Sequence, residues 1–572
     1  MNIKSNWKNL VSLYSFFLFF SLPYQIVIYS AGMSNTTGIR EALLRSTLWL
    51  IPVLLLPKYT KRISGLIAVV LWATSLVSWS YFYVFGQDFS QSVLFIIFES
   101  NPAESKEFIE SYISIDIISL LIIYTSIAIF LWRRLEPVYL PRHNNAITIS
   151  VIAVIICWPF VNPLLVQGAS LNASIKHLED RFEPVAPWNI VAGYLKYRKV
   201  LGVMQDRLAQ NDKIAPLKGF KDENTIKEPT MVLVIGESTN ANRMSLYGYS
   251  RKTTPSLDAM RDELFVFNDV ISPRPYTIEA LEQALSFGDQ QNPGDYLTRP
   301  TLMNMMSQAD YKSYWITNQQ TQTQRNTMLL TFSQQTDEQV YLNNNRVQNS
   351  SQFDEAVLKP FEEALNDKAK RKFIVVHLLG THRAYHYRYP DTYQRFNTKN
   401  KVPTWVPDED LEEYNAYDNA ILYNDYVVSS LIKTLKQKSP NSALVYFSDH
   451  GEEVYDTKEH LFTGRNEGNP TPAMYRIPFI AWLSDSWLSH EKFTGFGQYE
   501  PRPYLNADFI HSWADLANID HESNDPTRSI FSSKFIPRTR FIGNPYDPKK
   551  LINFDTLPVN DKLKEKLWQG KT

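Results

Sequence analysis

Apolar residues crowd into the first third of this chain. Five segments there reach spanning length, at roughly residues 9–30, 41–57, 63–85, 114–132 and 146–167. A helix needs about 20 apolar residues to cross the hydrocarbon of a bilayer. Residues 1–168 are therefore expected to form a multi-span α-helical membrane domain with five transmembrane helices. The segment at 41–57 is the shortest. The first is too long for a removed signal peptide and lacks a small-residue cleavage site, so it reads as a signal anchor.

Loop charge orients these spans. Lys4 and Lys8 precede the first, Lys58, Lys61 and Arg62 lie between the second and third, and Arg133, Arg134 and Arg142 lie between the fourth and fifth. The loop between the third and fourth carries Asp88, Glu99, Glu104, Glu107 and Glu110. Basic loops stay in the cytoplasm, so the N-terminus is inside. Five crossings then put everything after about residue 168 outside. The acidic loop also holds SQSVLFIIFES (Ser90 to Ser100), too short to span, which reads as an interfacial or re-entrant piece or as packing against the spans.

The rest of the chain reads as soluble protein. At 572 residues it exceeds one ordinary domain. A formal net charge of −1 excludes nucleic acid as the main partner, since phosphate binding needs a basic surplus. The single cysteine, Cys157, permits no intramolecular disulfide. Residues 169–228 are a polar linker with helical stretches. One of these, PWNIVAGYLKYRKVLGVMQDRLAQ, carries Trp188, Tyr194 and Tyr197 and is suited to lie along a membrane surface or to dock on the soluble domain.

From residue 229 apolar runs alternate with amphipathic helices. The runs are Thr230 to Ser238, Lys312 to Asn318, Lys372 to Gly380, Ser442 to His450 and Arg476 to Ser484. Runs apolar throughout, separated by helices, predict a mostly parallel sheet covered on both faces. Such sheets carry their sites at the carboxyl ends of the strands. Glu237 follows the first run and Asn318 ends the second. His377 and His382 close the third, and Asp449, His450, Glu452 and His460 follow the fourth. Five of the ten histidines fall between residues 377 and 460. Taken singly, Glu237 fits beside a helix cap, His377 fits a packed strand, and His386 fits a structural or substrate-facing aromatic loop. Carboxylates and imidazoles converging on strand ends form a zinc-type ligand set. Glu453 and Asp456 read as an ordinary solvated loop.

Thr277 opens an amphipathic helix with Ile278, Leu281, Ala284 and Leu285 on one face. Threonine there is a common cap. It is also a hydroxyl placed where free N–H groups attract phosphate. Beside a metal it becomes a candidate nucleophile.

Several stretches in this order resemble the phosphoethanolamine transferases of Gram-negative inner membranes, members of the alkaline phosphatase and sulfatase superfamily. They are VLVIGESTNANRMSLYGYSRKTTPSLD, SPRPYTIEALEQAL, YWITNQQTQT, VVHLLGTHRAYHYRYP, YFSDHGEEVYD and TGRNEGNPTPAMYRIPF. The resemblance covers nearly the whole chain, and it implies a periplasmic alkaline-phosphatase-type α/β domain at 229–572. The family's zinc ligands fall on Glu237, Thr277, Asp449 and His450, with Thr277 as the threonine that becomes phosphoethanolaminated. His382 and His460 match histidines that bind substrate or a second metal, and Asn318 lies among the family's polar substrate residues. One zinc ion is implied, with room for a second.

The implied donor is phosphatidylethanolamine and the implied acceptor lipopolysaccharide, at a core heptose or a lipid A phosphate, with the enzyme a monomer in the inner membrane. Adding a cationic amine there would weaken the binding of cationic peptides such as polymyxin. Lipid A-modifying members carry several disulfides. This chain has none, and Pro273 stands where those members often have cysteine. GQDFSQSVLF and ITNQQT look most like the core-heptose branch. Two other enzymes share this fold, a phosphoglycerol transferase and a sulfatase-like hydrolase. SPRPYT lacks the C/S-x-P-x-R spacing of a sulfatase nucleophile. A non-enzymatic receptor would be expected to lack ligands or nucleophile, and all are present.

Overall fold

The apolar segments of the first third become helices, and prolines decide where they break. The computed structural model describes residues 3–31, 36–85, 115–192, 214–319, 327–343, 353–458, 463–489, 493 and 495–557, less 169 and 183, with scattered positions between 193 and 213. The chain divides into two compact units, with the division after Val200.

In the first unit, α1 (Ile3–Leu18) and α2 (Leu22–Ser30) meet at a bend of 53°. Pro23, in the first turn of α2, has no N–H to continue a helical ladder from α1. Then come α3 (Thr36–Arg45), a tight turn at Ser46–Trp49, and α4 (Leu50–Leu55). The segment expected at 41–57 is thus a chain of short pieces, with Pro52 and Pro57 each withholding a donor. The long helices are α5 (Thr60–Phe85), α6 (Ile115–Arg133) and α7 (Arg142–Val161), followed by α8 (Leu171–Phe182). Among the described residues three helices, 57–83, 115–133 and 142–166, are long and apolar enough to cross a membrane, and the bent pair makes a fourth if taken as one span. Phe16, Phe17, Phe20, Leu54, Leu71 and Tyr124 pack inside this unit, while Leu66, Val69, Ile122, Ile123 and Val154 face outward. An apolar exterior is what a lipid solvent requires. The segment Ser90 to Ser100, and most of the stretch after residue 192, lie outside the described residues.

The second unit holds a seven-stranded sheet. Its strands are β1 (Thr230–Gly236), β2 (Leu264–Val266), β3 (Lys312–Thr317), β4 (Glu338–Tyr341), β5 (Lys372–His377), β6 (Ser442–Ser448) and β7 (Phe479–Leu483), in the order β2–β7–β6–β1–β5–β3–β4. The sheet is mostly parallel, as expected. β7 is the exception and runs antiparallel to both neighbours. Every residue of β1 and β6 is buried.

The helices Thr277–Ala284 and Leu302–Gln308 are α9 and α10. Alternation along these strands sorts the two faces. Val232, Val234, Leu444 and Tyr446 pack with α11 (Leu358–Leu365) and with α12, the long helix Leu411–Lys438. Phe447 and Phe373 face α13 (Phe509–Ala517), touching Phe509 and Trp513. Each buried side chain of this size contributes about 1.5–3 kcal/mol, so both layers are held firmly to the sheet. That rigidity fixes the loops at the carboxyl ends of β1, β5 and β6, where the chemistry-bearing residues emerge.

Candidate metal centre and nucleophile

Glu237 is the first residue past β1, and Asp449 and His450 are the first past β6, its neighbour in the sheet. In-register pairing of Gly236 with Ser448 therefore brings the three together without any long loop. Two glycines make room for them. A Cβ on Gly380, where φ is +55°, would lie 2.8 Å from the backbone N and O of Glu237. A Cβ on Gly451 would lie 2.1 Å from the Ala473 carbonyl. Neither position admits a side chain.

One oxygen or nitrogen from each of Glu237, Asp449 and His450 lies within 4.8 Å of the others, and all three residues are buried. His450 Nε2 is 3.3 Å from Glu237 Oε1 and 3.3 Å from Asp449 Oδ2. Thr277, the first residue of the helix Thr277–Ala284, completes the group. Its hydroxyl donates to Glu237 Oε2 at 3.0 Å and lies 3.4 Å from His450 Nε2.

The surrounding hydrogen bonds pre-orient this set. The His450 Nδ1–H donates to the Gly451 carbonyl at 2.9 Å, which turns Nε2 toward the carboxylates. Asp449 Oδ1 accepts from the Ser238 and His450 amides at 3.0 and 2.7 Å, while Oδ2 is buried with no hydrogen-bond partner. A buried carboxylate oxygen left unmatched is costly unless a cation meets it. Two carboxylates this close also oppose each other's ionisation. Burial and the Glu237 charge push Asp449 up to about 7. Burial would raise Glu237 too, but the hydrogen bond and charge of His450 outweigh it and hold Glu237 well below the usual carboxylate range. The donor set, its one unmatched oxygen and its tautomer fit a divalent metal of zinc type.

The other expected residues divide. His382 sits in the turn after β5, with Nδ1 buried and unpartnered. Burial pulls it down to about 3, against the pull of Glu237. Asn318 is buried at the end of β3 and donates to Asp354 at 2.8 Å, and Asp354 in turn accepts from the amides of Leu379 and Gly380. It braces the turn beneath the site, while the next residue, Gln319, reaches Glu237 Oε2 at 3.1 Å. His460 lies outside the described residues. His377 is buried against Trp315 with neither ring nitrogen bonded, and burial lowers it to about 4.

Glu453 and Asp456 are not solvated. Glu453 is fully buried, accepting from Thr471 at 2.5 Å and from the Thr457 amide at 2.8 Å, and burial beside Asp456 pushes it up to about 8. Asp456 pairs with Arg243 at 3.3 Å. Their partners are distant in sequence, and nothing local announces them. The residue most clearly missed is Arg465. Its guanidinium lies 2.6 Å from His450 Nε2, 3.6 Å from Glu237 and 3.2 Å from Glu452, whose other oxygen accepts from Tyr385 at 2.9 Å. An arginine in a polar loop carries no periodic signal that would single it out.

Comparison with known proteins places this geometry. Residues 229–519 match the Sulfatase family. The chain is 49% identical over 564 residues to phosphoethanolamine transferase EptC of Escherichia coli (strain K12), covering 98% of this chain and 97% of the relative. It is 48% identical to phosphoethanolamine transferase CptA of Salmonella typhimurium over the same shares. The crystal structure of the C-terminal periplasmic domain of Escherichia coli EptC in complex with zinc is 54% identical and superposes with a TM-score of 0.59. The match covers 61% of this chain and 99% of that one. The integral membrane lipooligosaccharide phosphoethanolamine transferase A of Neisseria meningitidis, 20% identical, shares the fold over 91% of this chain and 97% of its own, with a TM-score of 0.61. With strand ends, metal-type cluster and near full-length identity in agreement, this chain belongs to the phosphoethanolamine transferases, enzymes built on a sulfatase-type domain behind a membrane-helix region.

Proposed function

We propose that this enzyme moves phosphoethanolamine from phosphatidylethanolamine to lipopolysaccharide through a covalent phosphothreonine at Thr277. The observation that carries the reading is the Thr277 hydroxyl, placed at a helix start 3.0 Å from Glu237 and 3.4 Å from His450. In the first step Thr277 Oγ bonds to the donor phosphorus, the phosphorus–oxygen bond to diacylglycerol breaks, and the threonine proton ends on the glycerol oxygen. In the second an acceptor hydroxyl oxygen bonds to the phosphorus, the bond from Thr277 Oγ to phosphorus breaks, and the acceptor's proton ends on Thr277 Oγ. Splitting the transfer this way lets donor and acceptor use the site in turn.

Glu237, Thr277, Asp449 and His450 would hold zinc, the metal in the Escherichia coli EptC domain crystal. Zinc supplies Lewis acidity, easing loss of the hydroxyl proton and polarising a phosphoryl oxygen. The chain's own part is positional. Glu237 Oε2 aims the hydroxyl, the Gly451 carbonyl fixes the His450 tautomer, and Arg465, 19% exposed, offers a guanidinium to phosphoryl oxygens. His382, His460 and Asn318 are assigned to the substrate side.

The proposed frame is a five-span inner-membrane domain (1–168), a linker with interfacial helices (169–228) and a periplasmic catalytic domain (229–572). The core-heptose acceptor is supported by the branch-like stretches GQDFSQSVLF and ITNQQT, and resistance to cationic peptides would follow from the added amine. Incubation with headgroup-labelled phosphatidylethanolamine followed by peptide mass analysis tests the reading. A phosphoethanolamine adduct on Thr277, lost in Thr277→Ala, is expected. A variant that still labels overturns the nucleophile, and a glycerophosphate adduct formed only in a parallel incubation with phosphatidylglycerol overturns the substrate.

A further inference from the structure

The membrane unit buries a charge cluster with too many cations. Pro159 sits inside α7 and has no N–H, so the Ile155 carbonyl four residues earlier loses its helical donor. Arg45, at the end of α3, supplies the replacement, with Nη1 donating to Ile155 O at 2.7 Å. A guanidinium among apolar helices needs a counter-charge. Glu41, one turn earlier on α3, provides it at 2.9–3.0 Å, and the two side chains are 3% and 2% exposed. That pair is complete, since the proline explains the arginine and the arginine explains the glutamate.

Two further arginines have no such explanation. Arg40 reaches Glu41 Oε1 at 2.8 Å, and Arg181, from α8, reaches the same oxygen at 3.5 Å. Among the described residues Glu41 is the acid that these three guanidiniums meet. Among the described residues, one carboxylate facing three guanidiniums leaves two positive charges unbalanced. The surplus lies on the accessible side, with Arg40 54% and Arg181 30% exposed. Phe182 packs under Arg45 at 5.3 Å and edge-on to Trp188, which stacks on Trp49, an aromatic layer of the kind that marks a membrane–water boundary. Ile155 lies eleven residues before the end of the 142–166 span, or about 16 Å along its axis, so Arg45 reaches into the interior of that span. Arg181, on α8 past that span, and Arg40, on the accessible side of α3, carry the cluster toward the end from which the chain leaves for the catalytic region. Leu43 on α3 and Leu171 and Ile175 on α8 are exposed apolar residues on the same two helices.

We propose that Arg40 and Arg181 grip the phosphodiester of a membrane phospholipid, whose chains run along the apolar residues of α3 and α8. Arginine forks match phosphate oxygens, and a boundary of low dielectric strengthens the contact. Only the naming of that lipid as the phosphoethanolamine donor rests on the function proposed above.

The test uses full-length protein carrying Thr277→Ala, so that binding is read without turnover. It is delipidated in detergent, exposed to phosphatidylethanolamine in mixed micelles, and examined by native mass spectrometry. Retained lipid is expected, with roughly tenfold weaker retention in Arg40→Gln/Arg181→Gln and no displacement by millimolar inorganic phosphate. Arg40 is exposed and Arg181 partly so, while the buried pair is Arg45 with Glu41, so an unchanged melting temperature is the folding control. Equal retention in the double variant overturns the site. Displacement by inorganic phosphate overturns the lipid and assigns a free anion instead. In the Thr277-containing enzyme the double variant should raise the donor KM about tenfold with little change in kcat. Lipid retention in an enzyme that never labels at Thr277 would uphold this site while overturning the proposed function.

Discussion

The two halves of this molecule bury charge with opposite imbalances. In the membrane unit one carboxylate, Glu41, meets three guanidiniums. In the catalytic unit three carboxylates, Glu237, Asp449 and Glu452, crowd one imidazole and one arginine, and Asp449 Oδ2 is left without a hydrogen bond. Burial makes either imbalance expensive. The first invites an anion and the second a cation, so charge bookkeeping separates the proposed lipid-phosphate site from the candidate metal site.

The sharpest break of this contrast is His450→Ala. Losing a ligand of the metal-type cluster should cut transfer about a thousandfold, since metal polarisation is worth several kcal/mol. Metal analysis of the purified variant should show a matching loss of zinc. Normal zinc content would show that the acidic imbalance is met some other way. In the membrane unit, Arg45→Gln should lower stability by about 3–5 kcal/mol, because it strands buried Glu41 and the Ile155 carbonyl together. Thermal unfolding in detergent reads this, and a change near zero would mean that lipid or water already serves the carbonyl.

Chelation should lower the melting point of the catalytic unit without moving the membrane unit, and added zinc should restore it. At metal levels about a hundredfold above Kd the gain is about 2.7 kcal/mol. Equal shifts in both units would dissolve the contrast.

A comparable effect concerns a carboxylate with neither metal nor arginine. Asp425 on α12 caps the short helix Pro255–Ala259, accepting from the Ser256 and Leu257 amides at 2.9 and 2.8 Å. Burial nevertheless pushes it up to about 6. Its folded value lies above the unfolded value near 3.9, so the folded state holds the proton more tightly. The stability this contributes is present in full below about pH 4 and is lost as pH rises through about 6. Asp425→Asn should flatten the stability–pH curve over that window by roughly 3 kcal/mol, seen in denaturant titrations. An unchanged slope would assign the titration elsewhere.

Some of this architecture is legible in the chain itself. β1, β3, β5 and β6 stand out because strands buried on both faces are apolar throughout, and their ends locate Glu237, Asp449 and His450. β2 and β4 do not stand out, being three and four residues long, with β4 reading Glu-Gln-Val-Tyr and largely exposed. The direction of β7 is equally hidden, since an apolar run looks the same read either way. At the site, Arg465 and Gln319 are polar residues in polar loops, and Glu453 and Asp456 look like ordinary surface acids. In the membrane region apolarity marks the segments at 63–85, 114–132 and 146–167 well, yet prolines break the one at 41–57 into short pieces.

What neighbouring residues encode, the chain determined alone: helix or strand, lipid-facing or soluble, and which strand ends carry the carboxylates and imidazole of the candidate metal cluster. Charge compensation was decided only by the fold. Glu237 and Asp449 are 212 positions apart, and Arg45 answers a carbonyl 110 residues away. The physical reason is range. Periodicity and propensity act over one or two turns. The energy of a buried charge depends on whatever the tertiary structure places within about 4 Å of it.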